Sequence, residues 1–271
     1  MSTPIPNNVD DDDSDVDIIN PFTSLMLPPQ QQQPSDKQQL LENKYYKLKS
    51  IKSNIVIRQL PSQGLSFQLW PAATTLVTLL DNHGINSPLV PLFKTQENRP
   101  LDILELGSGT GLVGIAAAAL LGANVTITDL PHVLPNLHFN AEANSEVVGV
   151  NGGKVSVAAL SWGDVDHMEG VGREFDLILG SDVVYHDHLY EPLIKTLRFF
   201  LLGNNTNKEV LVFVMAHLKR WKKESAFFKM ARKLFDVQVM HTDSPSNGSR
   251  VGVVVYQFVG KAASNVNSVP S

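Results

Sequence analysis

The stretch from Leu101 to Ile115, LDILELGSGTGLVGI, limits the fold more than any other part of the sequence. An apolar run ends abruptly at Gly107, three glycines alternate with Ser108 and Thr110, and an Ala/Leu-rich run follows. The first run is typical of a buried strand and the second of a helix. Side chains are absent where a strand turns sharply into a helix and a ligand touches the backbone. The stretch therefore predicts a nucleotide-binding turn at the carboxyl end of a parallel strand. A tight turn without a ligand is the alternative, but three glycines exceed what one turn requires.

The rest of the sequence repeats this order of strand and helix. Five such units run from LDILEL to RWKKESAFFKMARKL, and two strand patterns, DVQVMHT and RVGVVVYQFV, follow them. Repeated units of this kind predict an α/β fold with an open, mostly parallel sheet and helices on both faces. The turn-forming residues between the last two strands predict an antiparallel hairpin at the sheet edge. The segment SWGDVDHMEG reads as a loop.

Two further strand patterns precede these units. YYKLKSI and NIVIRQL predict a β-hairpin with a turn at residues 52–54. A helix is then predicted from Pro71 to about Asn82, because proline suits the first turn of a helix, and Gly84 is the expected stop signal.

Composition divides the chain into one domain and two tails. Residues 1–42 hold an acidic block and the tract PPQQQQPSD, which cannot bury enough apolar surface to fold. We expect disordered tails at 1–42 and 262–271 and a single domain at 43–261. The first tail is a solvated segment or, alternatively, an acidic arm for a basic partner.

Charge, hydropathy and cysteine content exclude several functions. The chain has 27 acidic and 22 basic residues. Residues 1–42 hold eight of the acidic and one of the basic residues, so the remainder has 19 acidic and 21 basic residues. Such a near-neutral domain gives no electrostatic reason for bulk nucleic-acid binding. No apolar run approaches the roughly 18 residues that span a bilayer. The absence of cysteine excludes disulfides, thiolate catalysis and Cys-ligated zinc. We expect a monomer in the cytoplasm, with the nucleus as a second location.

The kind of nucleotide is not settled by glycine spacing alone. Gly109 to Gly114 fits the dinucleotide fingerprint G-x-G-x-x-G, but that fingerprint should begin at the strand end, which is Gly107. Asp129 ends the second strand about twenty residues on, where a carboxylate can accept both hydroxyls of a ribose. The alternative is that Asp129 caps the following helix. In both cases Asp129 is compatible with a nucleoside ligand, but it does not indicate which cofactor binds.

Read from the strand end, Glu105 to Gly111 spell ELGSGTG, which resembles motif I of the seven-stranded S-adenosylmethionine (SAM)-dependent methyltransferases. Four more stretches extend the resemblance: FQLWPAATTLVTLL, TDLPHVLPNLHFNAEAN, LSWGD and GSDVVYHDHLYEPLIKTL. Together they look like the methyltransferase family 16 lysine methyltransferases, over roughly Tyr45 to Phe258. The resemblance implies a seven-stranded Rossmann-like sheet whose final strand is antiparallel. It also implies SAM as cofactor, S-adenosylhomocysteine as product and a lysine in a protein, such as a chaperone or translation factor, as acceptor.

The resemblance also implies which residues hold the cofactor. Glu105 would hold its methionine side and Asp129 its ribose, while two tryptophans would border the pocket. The full implied set is Trp70, Glu105, Gly107, Ser108, Gly109, Gly111, Asp129, Leu130, Trp162 and Ser181.

Asp182 and Tyr185 form a D-x-x-Y motif after the fourth strand of these units. DNA-amino and protein-glutamine methyltransferases carry [N/D]-P-P-Y there, and the missing prolines argue against an amide or exocyclic amine as acceptor. The resemblance implies that the motif receives the lysine amine, with Asp182 orienting it and Tyr185 forming the channel wall. An acid and an aromatic ring suit a cationic, partly apolar side chain. Alternatively, Asp182 caps a helix and Tyr185 packs in the core.

Two other clusters give weaker indications. His186 and His188 lack the partner spacing of a metal site, so we expect no metal. The segment HLKRWKKESAFFKMARK predicts an amphipathic helix with a solvated outer face, or alternatively a contact with an acidic protein or RNA. Three other functions stay open: a SAM-fold binding module without catalysis, an NAD-dependent oxidoreductase, and a SAM-dependent enzyme with a non-protein acceptor.

Overall fold

A computed structural model describes residues 42–82, 87–93, 99–203, 210–245 and 251–261. The strands in these ranges are β1 Glu42–Leu48, β2 Ser53–Gln59, β3 Asp102–Leu106, β4 Asn124–Asp129, β5 Lys154–Ala159, β6 Leu177–Ser181, β7 Val212–His217, β8 Phe235–Thr242 and β9 Val254–Gly260. The helices are α1 Pro71–Asp81, α2 Leu112–Leu121, α3 Leu134–Ala143, α4 Ser145–Gly149, α5 Val165–Val171, α6 Tyr190–Leu201 and α7 Ser225–Leu234. The expected tails at 1–42 and 262–271 lie outside the described residues, apart from Glu42, which begins β1. The predicted stop at Gly84 also lies outside them.

Seven strands form one sheet in the order β5-β4-β3-β6-β7-β9-β8. Strands β3 to β7 are parallel, and β9 is antiparallel to both β7 and β8. The predicted mostly parallel sheet with an antiparallel final strand is therefore confirmed. The last strand enters the sheet between β7 and β8, so β8 forms the edge.

The chain reverses direction across the sheet at β3. From β3 it proceeds outward to β4 and β5, and then returns to β6 on the other side of β3. Such a switch point leaves a crevice at the carboxyl ends of the two central strands, where open α/β sheets bind ligands. The glycine turn after β3 and the D-x-x-Y motif after β6 therefore lie at the same edge.

The N-terminal β-hairpin is confirmed, but its turn occupies residues 49–52, earlier than predicted. The carboxylate of Asp81, at the end of α1, accepts the N–H groups of Lys49 at 2.6 Å and Ser50 at 2.9 Å. This contact between segments distant in sequence fixes the turn, and hairpin propensity alone cannot predict it.

Two asparagines of the helical segment after β4 hold the outer edge of β2. Asn144 Oδ1 accepts the N–H of Val56 at 2.8 Å, and Asn140 Oδ1 accepts that of Arg58 at 2.9 Å. Asn140 Nδ2 also donates to the carbonyl of Thr110 in the glycine turn at 2.9 Å. The side-chain amides thus pair the strand edge as another strand would, and they tie the hairpin to the turn.

The prediction of a loop over SWGDVDHMEG is wrong for its second part, because α5 begins there at Val165 and extends to Val171. Asp164 Oδ1 accepts the N–H of His167 at 3.1 Å, which is a typical N-cap. The short helix α4 was also not predicted. Both are too short to show a clear 3.6-residue period in sequence.

Helix α2 is buried along nearly its whole length by contacts with α1, α4 and the strands of the sheet. At Gly114 a Cβ atom would collide with Ile127 Cγ2 and lie 2.7 Å from Glu105 Oε2. The helix therefore approaches the sheet closely at this glycine. None of the described helices is both long and apolar enough to cross a membrane.

We expect Gly114→Ala to lower the free energy of unfolding by about 1–3 kcal/mol, because the added methyl group overpacks a close helix–sheet contact. Urea unfolding measures this change. Gly149→Ala is the matched control, since a Cβ at that helical glycine meets nothing within 4 Å. Equal stabilities of the two variants would contradict the close packing of α2.

Candidate active site

The glycine turn has a backbone that other residues rarely adopt. Gly107, Gly109 and Gly111 have φ angles of +60°, +57° and +83°. A Cβ at Gly107 would also lie 2.9 Å from Trp162 Cζ2 and 3.2 Å from Val183 Cγ1. Both the left-handed conformation and the close aromatic ring therefore require glycine at the strand end.

Glu105 is a buried carboxyl group directly beneath this turn, with 1% of its surface exposed. Its Oε2 accepts the N–H of Gly114 at 3.0 Å, whereas Oε1 has no hydrogen-bond partner among the described residues. Burial raises the pKa of Glu105 to about 8, and the nearby charge of Asp129 adds to the effect. An unpartnered acceptor here fits a donor group of a cofactor such as the methionine amine of SAM.

Asp129 joins the end of β4 to the glycine turn. Its Oδ2 accepts the N–H of Gly109 at 2.8 Å, and its Oδ1 accepts that of Leu130 at 2.8 Å. Burial raises the pKa of Asp129, while these two backbone N–H groups act in the opposite direction. Each oxygen keeps further acceptor capacity, which fits the hydroxyls of a ribose. Helix α3 begins only at Leu134, so the geometry differs from a helix cap.

Ser108 fixes the turn against the neighbouring strand. Its N–H donates to the carbonyl of Thr128 at 2.8 Å, and its Oγ accepts the N–H of Thr128 at 3.0 Å. The other predicted cofactor residues lie at the same edge: Leu130 follows β4 with 42% of its surface exposed, and Ser181 ends β6. The predicted residues of β3, β4 and β6 are therefore brought together.

Tyr185 and Trp162 connect the D-x-x-Y motif to the first glycine. Their rings meet edge to face with centroids 6.5 Å apart, and the Trp162 ring lies against Gly107. Burial raises the pKa of Tyr185, with a smaller effect from the charge of Asp129. An aromatic wall thus runs from the glycine turn to Tyr185.

Asp182 is paired with several groups in this structure. Its Oδ1 accepts the N–H of Leu218 at 3.0 Å, and its Oδ2 accepts the N–H of Ala72, at the start of α1, at 3.4 Å. Both oxygens also contact Arg220, at 3.1 and 2.9 Å. Asp182 has a φ of +53° and lies well before α6, which begins at Tyr190. It joins the ends of β6 and β7 to α1 and does not cap α6.

Arg220 is a site residue that the sequence did not reveal. Its guanidinium lies between Asp182 and the ring of Trp70, 5.1 Å from the ring centroid. Trp70 Nε1 in turn donates to the carbonyl of Leu65 at 3.0 Å. The one available signal was the position of Arg220 just after the carboxyl end of a parallel strand, where functional side chains gather.

His217 and Glu224 extend this network into the core. His217 Nε2 lies 3.1 Å from Glu224 Oε2, which also accepts the N–H of Arg220 at 3.1 Å. His217 Nδ1 lies 3.8 Å from Asp182 Oδ1. Since buried carboxylates are costly unless paired, this network makes the end of β7 a rigid support for Asp182.

Two other features lie apart from this arrangement. His186 and His188 stack with centroids 5.4 Å apart and are exposed, and the described residues contain no group of three or more potential metal-ligating side chains. A cavity of about 340 Å³ between Arg58, Phe67 and His132 contains none of the predicted site residues.

A solved methyltransferase structure shares the fold of this chain. The structure of the Thermus thermophilus 16S rRNA N2 G1207 methyltransferase in complex with AdoMet and guanosine shares the fold, with a TM-score of 0.51 and 19% identity over 84% of this chain and 52% of that one.

The sequence assigns the family. The lysine methyltransferase family model matches residues 49–234, and the chain belongs to that family. Mouse protein N-lysine methyltransferase METTL21A is 37% identical over 66% of this chain and 73% of the relative. Mouse EEF1A lysine methyltransferase 3 is 31% identical over 72% of each. The resemblance drawn from the motifs is thus confirmed, with SAM rather than NAD as the cofactor.

We expect Glu105→Gln to remove part of the pH dependence of stability. The pKa of Glu105 is raised from 4.5 to about 8 in the folded chain, so between these values only the folded state keeps the proton. The free energy of unfolding therefore falls as pH rises, by up to about 1.4 kcal/mol per pH unit. Glutamine does not titrate and keeps an acceptor for Gly114 N–H.

Urea unfolding at several pH values between about 5 and 8 tests this expectation. The variant should gain stability relative to the wild type as pH rises. S-adenosylhomocysteine should stabilise the variant less than it stabilises the wild type. Glu142→Gln, at an exposed position, is the control and should keep the wild-type slope. A Glu105→Gln slope equal to that of the wild type would contradict the raised pKa.

We expect Arg220→Ala to destabilise the chain by about 3 kcal/mol, because it leaves the buried Asp182 carboxylate without its cation. In urea unfolding, Asp182→Asn combined with Arg220→Gln should lower the free energy of unfolding by less than the sum of the two single changes. Lys219→Ala, at an exposed neighbouring position, is the control, and its free energy of unfolding should lie within about 0.5 kcal/mol of that of the wild type. Additive effects of Asp182→Asn and Arg220→Gln would show that the pair is not coupled.

Proposed function

We propose that this chain transfers a methyl group from SAM to the side-chain amine of a lysine in a protein, with Asp182 and Tyr185 at the mouth of the lysine channel. The observation that carries the proposal is the continuous aromatic wall from Gly107 through Trp162 to Tyr185. It connects the strand end where a cofactor would rest to the motif expected to receive the amine. Membership of the lysine methyltransferase family supplies the reaction class.

Bound SAM supplies an electrophilic methyl group, which the lysine nitrogen would attack in line with the departing sulfur. The protein contributes mainly by holding the two reactants in alignment, which is worth up to roughly 7–11 kcal/mol in well-oriented systems. The lysine amine has an ordinary pKa near 10.4 and must lose a proton before it attacks. Enclosure by Tyr185 and Trp162 favours the neutral amine, since desolvation disfavours charge.

We propose an orienting role for Asp182 rather than that of a strong base. A carboxylate beside the amine favours its charged form, and Asp182 is already paired with Arg220. Its position between β6, β7 and the start of α1 suits a group that fixes the channel wall. Tyr185 would form the opposite wall.

The cofactor would lie across the glycine turn. Glu105 would hold the methionine end and Asp129 the ribose, while Trp70 and Trp162 would border the pocket. Ser108, Gly109 and Gly111 would shape the backbone beneath it, and Leu130 and Ser181 would line its ends. The unpartnered Oε1 of Glu105 and the left-handed backbone at Gly107 support this placement.

The domain that carries the reaction is proposed to span residues 43–261 and to act as a monomer in the cytoplasm or also in the nucleus. One mouse relative is named for EEF1A and others as protein N-lysine methyltransferases. We propose a chaperone or a translation factor as the protein substrate.

Incubation of the purified chain with tritiated SAM and cell lysate tests the function. We expect a labelled protein band, with mass spectrometry placing the methyl group on a lysine. Tyr185→Ala should lower labelling at least about tenfold while S-adenosylhomocysteine still raises the melting temperature. Lys233→Ala, on an exposed part of α7, is the control and should label normally.

Three other outcomes would contradict the proposal. Binding of S-adenosylhomocysteine without a labelled band from any lysate would indicate a binding module. Label that disappears with ribonuclease would indicate a nucleic-acid acceptor, and label in small molecules alone would indicate a metabolite acceptor.

A further inference from the structure

The segment Leu218–Glu224, LKRWKKE, forms the connection between β7 and α7 and is here named the basic loop. Four of its seven residues are cationic. Its one acid, Glu224, is fully buried and accepts hydrogen bonds inside the loop. The solvent-facing side of the basic loop is therefore positively charged.

The basic loop is fixed directly beside the proposed lysine channel. Leu218 N–H and the Arg220 guanidinium both bind the carboxylate of Asp182. Lys219 lies between these two anchors, so its backbone is held next to the D-x-x-Y motif. Its side chain is exposed and forms no ion pair with any residue in the described part of the chain.

A second contact holds the far end of the basic loop. Lys223 Nζ lies 3.7 Å from Asp187 Oδ2, two residues after Tyr185. Both side chains are at least half exposed, so the pair is weak and can exchange for another carboxylate. The basic loop thus lies along one side of the channel from Asp182 to Asp187.

Trp221 lies in the middle of the basic loop with 42% of its surface exposed. Leu65 is also partly exposed, and it connects to the basic loop through Trp70 and Arg220. An exposed tryptophan is typical of surfaces that bind other proteins, since tryptophan is enriched in binding hot spots. The surface therefore combines positive charge with a flat apolar anchor.

We propose that the basic loop binds acidic residues flanking the target lysine, so that the substrate is a lysine within an acidic segment of a protein. This inference rests on the proposed function and adds the chemistry of the substrate to it. Carboxylates beside the target lysine would pair with Lys219 and Lys223, while Trp221 covers the apolar parts of their side chains. A lysine within a basic segment would be repelled by the same charges, which gives the enzyme selectivity.

RNA is the other polyanion that a basic surface can bind. The acidic protein is favoured because three exposed lysines and one tryptophan form a short patch on a near-neutral domain, whereas RNA binding uses a longer basic surface. Membership of a lysine methyltransferase family favours the same partner.

Fluorescence anisotropy of labelled peptides with the full chain and S-adenosylhomocysteine tests the proposal. The probes are a peptide with one central lysine between glutamates, the same peptide with glutamines, and an oligouridylate of equal charge. The glutamate peptide should bind about tenfold more tightly than the glutamine peptide at low salt and lose this advantage at high salt. It should also bind more tightly than the oligouridylate.

Charge reversal locates the binding surface. Lys219→Glu with Lys223→Glu should weaken binding of the glutamate peptide about tenfold, and Trp221→Ala should weaken it as well. Lys229→Glu with Lys233→Glu is the matched control, because it makes the same charge change at the same spacing on exposed positions of α7. This control should bind nearly as the wild type does, and thermal unfolding confirms that each variant folds.

Equal binding of the glutamate and glutamine peptides would overturn the proposal, as would equal losses in the two charge-reversed variants or tighter binding of oligouridylate. The outcome is separate from that of the proposed function. Glutamate-selective binding without labelling of any lysate would contradict methyl transfer and keep the docking surface. Labelling with no glutamate preference would contradict the docking surface alone.

Discussion

The candidate site depends on the buried carboxyl groups of Glu105 and Asp129, which accept backbone N–H groups of the glycine turn and of α2. Glu105 accepts the N–H of Gly114 in α2, and Asp129 accepts that of Gly109 in the turn, so the two acids fix the turn and the helix that follows it. A typical hydrogen bond contributes roughly 0.5–1.5 kcal/mol net, while burial raises the pKa of both acids. Burying these two acids therefore has a cost in stability, which a ligand that hydrogen-bonds to them would offset.

The second half of the site is fixed by charge rather than by apolar packing. Asp182 collects hydrogen bonds from α1, from the end of β7 and from Arg220. Arg220 lies over Trp70, and Trp162 lies between Gly107 and Tyr185. These contacts join the strand ends to helix α1 and to two tryptophans, which suits a reaction that depends on alignment.

The sequence predicts the parts of this molecule that depend on local pattern. Alternating strand and helix patterns predicted the sheet, the spacing of glycines predicted the turn at Gly107, and D-x-x-Y placed Tyr185 at the same edge. Local pattern could not predict α5, whose signal is one N-cap at Asp164. It also could not predict the turn at residues 49–52, which depends on Asp81.

The pairing of Asp182 with Arg220 shows the same limit in the candidate site. The two residues are 38 positions apart, and no periodicity links them. Arg220 lies in a basic run that reads as a solvated surface, and only the adjacent ends of β6 and β7 bring it to Asp182. Long-range charge pairs of this kind depend on the topology of the sheet, so they can be predicted only once the strand order is known.

A crystal structure of the full chain with S-adenosylhomocysteine would show where the nucleoside binds. We expect the ribose hydroxyls to lie within hydrogen-bond distance of the Asp129 carboxylate and the sulfur to lie on the Gly107 side, facing Tyr185. A nucleoside seated instead in the cavity between Arg58 and His132, with Asp129 bound only to backbone N–H groups, would contradict this expectation.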